Sequence, residues 1–171
     1  MLKKISVFII VLLIAGAGWF IFNRSRQADM KVAPKVHYHA GFKVYENDHL
    51  VDFSKPEYMH FAPCGSDEDK KKMPETASDR AHLHNNIGDV VHVHSNKATW
   101  GDLWEDLRFH PQGKVTYYLN GKKAEDLGGS VIQPYDRLLL LVGDNTNIEQ
   151  KYQTVPDAEK IKQAVASTEG C

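Results

Sequence analysis

Cysteine is nearly missing from this chain. Cys64 and Cys171 are the only two in 171 residues, so at most one disulfide can form and a disulfide-framed scaffold is excluded. No Cys-x-x-Cys occurs, which removes a dithiol redox pair. Neither sign of charge dominates: 21 basic and 22 acidic residues leave a net charge of -1. A chain without bulk positive charge is not built to wrap nucleic acid, and none is expected as a partner. Apolar residues at 42% and charged residues at 25% are ordinary globular values, which excludes a disordered, collagen-like or polytopic protein. What stands in excess is histidine, with nine residues.

The N-terminus carries a low-polarity run from Ile5 to Phe22. As a helix it would reach about 27 Å, enough to span a bilayer core. Two readings lead, ahead of a third in which the domain faces inward. Ala15-Gly16-Ala17 fits the small-x-small pattern of a cleaved signal peptide, but Trp19 to Phe22 continue the apolar run beyond it and favour an uncleaved anchor over residues 1–22. Either of these readings places the remaining chain outside the cytoplasm, in a periplasm or at the cell exterior, and the uncleaved anchor tethers it to a membrane. Residues 23–35 read as a linker, 36–143 as one histidine-rich domain, and 144–171 as a polar tail with a short helix.

Within the domain, Val36 to Tyr45 alternates as a strand, and Glu46-Asn47-Asp48 reads as a turn to a second strand at Leu50 to Phe53. Periodicity lapses from Lys55 to Arg80. Two alternating runs, Ala81 to His84 and Val91 to His94, are joined by turn material and read as a hairpin. Thr99 then suits an N-cap, with Trp100, Leu103, Trp104 and Leu107 spaced as the core stripe of a short helix. Val115 to Leu119, the Asn120-Gly121 turn and Lys122 to Leu127 predict a second hairpin, and Leu138 to Val142 a strand buried on both faces. A helix over Pro156 to Ala166 carries only a thin apolar stripe and is expected to be peripheral.

The strand–strand–helix–strand–strand–strand order over 81–143 resembles the later half of ubiquitin-like β-grasp domains, with Tyr118-Leu119-Asn120-Gly121-Lys122 and Gln133-Pro134-Tyr135-Asp136-Arg137-Leu138 carrying the likeness. The resemblance implies an α+β fold: a β-grasp-like mixed sheet on one short helix, extended by the N-terminal hairpin, the anchor helix and the peripheral C-terminal helix. It implies no sulfur-carrier activity, because Gly128-Gly129 is internal. The paired His-x-His strands and the Thr-Trp-Gly-Asp-Leu helix start also resemble uncharacterised membrane-anchored, histidine-rich extracytoplasmic bacterial proteins.

His-x-His occurs three times, as His37/His39, His82/His84 and His92/His94, where chance placement would give about half of one pair. On a strand, residues i and i+2 share a face about 6.5 Å apart, close enough for two imidazoles to converge on one ion. If His84 lies opposite His92 and His82 opposite His94, four rings project together, while Ala81, Leu83, Val91 and Val93 take the apolar face. His37 and His39 add two more if their strand lies alongside. Neutral imidazole donors suit copper(II) or zinc(II) and serve calcium and magnesium poorly. His60 and Cys64 are candidate additional ligands.

The leading expectation is therefore a transition-metal-binding module, serving metal delivery to a receiving protein or acting as an accessory to a membrane complex. A metalloenzyme is the second reading, with Asp89 and Glu46 as the only turn carboxylates near the histidine strands. The third is a structural subunit whose histidines form a hydrogen-bonded cluster without metal.

Overall fold

A computed structural model describes residues 35–60 and 75–166. The longest strand, β1 (Lys35–Glu46), lies in the middle of the fold, and its strict alternation explains why. Ala40, Phe42 and Val44 are fully buried on one face. His37, His39, Gly41, Lys43 and Tyr45 project from the other, so both faces of β1 are available for covering. The chain turns through Asn47 and Asp48, both at positive φ, into the two-residue β2 (His49–Leu50). A 3-10 turn at Pro56–Tyr58 follows.

Helix α1 (Ala77–Arg80) runs without a break into β3 (Ala81–His82), which pairs antiparallel with β4 (Val90–Ser95). Thr76 and Asp79 close a reciprocal capping box at its start. Helix α2 (Trp100–Asp106) is capped the same way by Thr99 and Asp102, and an ion pair between Arg80 and Asp102 ties the two helices together. Strands β5 (Val115–Leu119) and β6 (Lys122–Ala124) meet through Asn120-Gly121, both at positive φ as a two-residue hairpin turn requires. Strand β7 (Arg137–Val142) then inserts parallel to β1. Helices α3 (Ile148–Gln153) and α4 (Ala158–Ala166) complete the described chain.

The result is a mixed α+β fold with a seven-stranded sheet ordered β3-β4-β1-β7-β5-β6, with β2 paired to the end of β1. One face is the main core: Ala40, Phe42, Val44, Val91, Val93, Leu138, Leu140 and Val142 pack with Trp100, Leu103 and Trp104 of α2. The opposite face is divided. Near β7 a smaller apolar cluster of Leu139, Leu141 and Val155 brings in Tyr45, Tyr118, Ile148 and Tyr152. Near β3, β4 and β1 the same face is occupied by histidine.

Several expectations are corrected here. The anchor at residues 5–22 lies outside the described residues, as do Cys64 and Cys171. Among the described residues no helix is long and apolar enough to cross a membrane. The longest, α4 with 9 residues, reaches about 14 Å against a hydrocarbon core of about 30 Å, and the expected single-pass architecture with an extracytoplasmic domain is corrected accordingly. The expected N-terminal hairpin is not an appendage, since β1 is the strand that joins β4 to β7. Nor is the C-terminal segment peripheral: Val155 and Ile161 are fully buried, and Arg137 donates from Nη2 to the Val155 carbonyl at 2.7 Å. Pro156 sits so close to Gly41 that a Cβ there would lie 2.6 Å from the Pro156 carbonyl oxygen.

Candidate metal centre

Alternation sets which residues share the histidine face, and cross-strand pairing sets which of them meet. His39 of β1 is paired with His92 of β4, and His92 in turn with His82 of β3, so one row of imidazoles crosses three strands. This register differs from the expected one by two residues: His82, not His84, lies opposite His92. The cause is a long-range bridge. Leu83 leaves the β4 ladder to pair with Met59, and the His60 amide donates to the Leu83 carbonyl at 2.9 Å. Asn85 and Asn86 then turn the chain at positive φ, with Ile87 N–H closing on the His84 carbonyl at 3.0 Å. A shift of two residues preserves parity, so Ala81, Leu83, Val91 and Val93 all remain in the core.

Seven histidines gather on this face. His37 and His94 stack with centroids 5.0 Å apart, His82 and His94 at 4.9 Å, and His84 meets His92 edge-on at 4.7 Å. His60 stacks on His82 at 4.6 Å. Two triads have ligand nitrogens within 4.8 Å of one another: His37/His92/His94 and His82/His84/His94. His39 adjoins the first, its Nε2 lying 3.1 Å from His92 Nδ1. The remaining two histidines, His49 and His110, are exposed. Among the described residues no aspartate, glutamate or cysteine joins either triad, so the donor set is entirely imidazole.

Most of this face is closed to water. His39, His82, His84 and His92 are each less than a tenth exposed. Loss of hydration disfavours the charged ring, and neighbouring imidazoles add repulsion. Burial first, then His37, His94 and His84, pushes His39 down to about 4. Burial lowers His82 to about 3, opposed by its hydrogen bond to the Ser78 backbone, and lowers His92 to about 2 with help from His39. His84 is also held below the ordinary range, chiefly by burial. These rings are neutral donors at physiological pH.

Ser78 sets the orientation of two of them. His82 donates from Nδ1 to the Ser78 carbonyl, which leaves His82 Nε2 as a bare lone pair. The Ser78 hydroxyl hydrogen-bonds Asp106, whose carboxyl is raised by burial, and lies 2.8 Å from His60 Nδ1. Such outer partners are what orient metal-binding imidazoles. Asp106 and Ser78 escaped sequence reasoning because they are distant in the chain from His60 and from each other. The Thr76-x-x-Asp79 capping pattern just before His82 was the available signal. The carboxylates expected near the site behave otherwise: Asp89 is ion-paired with Lys43 at 2.8 Å, and Glu46 is exposed at the end of β1.

Nε2 of His82 and Nε2 of His84 lie only 2.7 Å apart. His84 also interacts with the His60 backbone, which partly opposes the lowering of its pKa by burial. A neutral imidazole has one N–H. With the His82 proton committed to the Ser78 carbonyl, His82 Nε2 is the acceptor in this contact. No known family, curated protein or solved structure matches the chain. Geometry and donor chemistry alone bear on what the site does.

Proposed function

We propose that this protein binds a single transition-metal ion, copper(II) or zinc(II), through His82, His84 and His94, and holds it for delivery to a receiving protein. The observation that carries this reading is the convergence of imidazole nitrogens: those of His82, His84 and His94 lie within 4.8 Å of one another, with His82 Nε2 and His84 Nε2 at 2.7 Å. A cation placed against both rings takes the His82 Nε2 lone pair directly and that of His84 Nε2 once a proton there is displaced. Tetrahedral ligation with metal–nitrogen bonds of about 2.05 Å places ligand nitrogens about 3.3 Å apart, so this pair opens by roughly 0.6 Å on binding while His94 closes in. Imidazole nitrogen suits copper and zinc, and an all-nitrogen set offers nothing to calcium or magnesium.

One ion, rather than one in each triad, follows from charge. Two dications about 6 Å apart at an effective dielectric near 20 repel by roughly 11 kcal/mol. Among the described residues neither triad includes a carboxylate or thiolate to offset that repulsion.

Full-length protein stripped with chelator and dialysed against copper(II) or zinc(II) should retain about one equivalent and gain about 3 kcal/mol of stability at a hundredfold excess over Kd. His84→Ala should remove the retention, since it deletes one of the two opposed donors. A chain that keeps no metal, or a His84→Ala variant that keeps a full equivalent, refutes the reading.

A further inference from the structure

The two triads differ in their access to solvent. His37 is exposed, His94 is intermediate, and His82 and His84 are buried. His94 is the one ring common to both, stacked between His37 on one side and His82 on the other at nearly equal centroid distances of 5.0 and 4.9 Å. We infer that the triad His37/His92/His94 is an entry site: the ion lands there from water and passes to His82/His84/His94 without leaving His94. This rests on the metal-binding reading above and adds a route to it.

The exchange is a ligand substitution in which no electron moves. As the ion crosses, its bonds to His37 and His92 break while bonds to His82 and His84 form, and the His94 bond is kept. Because ligand nitrogens within each triad lie inside 4.8 Å, the rings are near enough to exchange partners with modest rotation. A direct route to the buried pair would require a hydrated dication to shed its water in one step, whereas exposed His37 lets water be replaced ligand by ligand. His92 is positioned for the transit, since its ring lies 4.7 Å from His84 and 5.9 Å from His37.

An entry ligand controls rate and leaves equilibrium to the final site. In stopped-flow loading of the full chain with copper(II), His37→Ala should slow both uptake and chelator-driven release, by about tenfold each, leaving Kd close to that of the unaltered chain. The double variant His82→Ala/His84→Ala should still capture copper(II) transiently at the outer triad, but release it faster than the unaltered chain and retain none through dialysis. His37→Gln guards against a packing artefact and should reproduce the slow phase. Unchanged rates in both His37 variants would overturn the entry role, as would simultaneous saturation of the unaltered chain by two equivalents, because independent sites need no relay. Failure of the unaltered chain to retain copper(II) at all would instead overturn the metal-binding reading, and the relay with it.

Discussion

Burial converts imidazole from a titrating group into a fixed donor, and that conversion has a cost in acid. Above about pH 6.5 a histidine is neutral whether the chain is folded or unfolded, and no stability depends on its pKa. Below that value the unfolded chain takes up protons that the folded chain refuses, because His39, His82 and His92 are held near 4, 3 and 2. The unfolded state then binds more protons, so stability falls as pH falls, by about 1.4 kcal/mol per pH unit for each ring over the window from about 6.5 down to its folded pKa. Urea denaturation of the metal-free protein should therefore show its midpoint dropping steeply between pH 7 and pH 5. A flat profile would mean that these rings are solvated. Bound copper(II) should raise the whole profile and leave its slope in this window unchanged, because the folded rings are already neutral there and the protons are taken up by the unfolded chain.

At the scale of elements, the site depends on two joints that no hydrophobic pattern marks. One is the passage from α1 directly into β3, which brings Ser78 beneath His82. The other is the loop between His84 and Val90, whose packing decides where His84 stands relative to His92. Gly88 lies against the Phe53–Ser54 backbone, where an added Cβ would come within 2.3 Å of the Ser54 nitrogen. Backbone cannot move aside as a flexible side chain can, so Gly88→Ala should destabilise the protein by about 2–3 kcal/mol in thermal or urea unfolding. Gly129→Ala is the control: nothing lies within 4 Å of its Cβ position, and its effect should stay within about 0.5 kcal/mol. Equal effects would show that the loop is not held there.

The same joints explain what was legible in the sequence. Parity was legible, because alternation alone places His82, His92 and His94 opposite Ala81, Val91 and Val93. The α2 cap, the Asn120-Gly121 turn and the apolar β7 run were local signals and were read correctly. The register of β3 on β4 was not local. It follows from the bridge between Leu83 and Met59, residues that no turn motif connects. Burial of the histidine face was illegible for a related reason: a His-x-His strand looks amphipathic toward water, and only the assembly of three such strands lets the rings cover one another.

For the whole molecule, the question is how one sheet face serves two purposes. Its β7 side is closed by the C-terminal segment, where fully buried Val155 packs against Leu139 and Leu141. Arg137 fastens that segment by donating to the Val155 and Tyr152 carbonyls at 2.7 and 3.3 Å while its guanidinium lies over the Tyr152 ring. The approach of Pro156 to Gly41 marks where this cover meets the strand that carries His39. If the apolar cover and the histidine patch are separate regions of one rigid sheet, damage to the cover should lower stability without altering the ligands. Val155→Ala removes two buried methyl groups and should cost about 2 kcal/mol. Copper(II) stoichiometry and Kd should stay as in the unaltered chain, measured well below the unfolding transition. A loss of affinity accompanying that modest destabilisation would mean that the C-terminal segment helps to hold the imidazoles in place, and that the two halves of the face act as one.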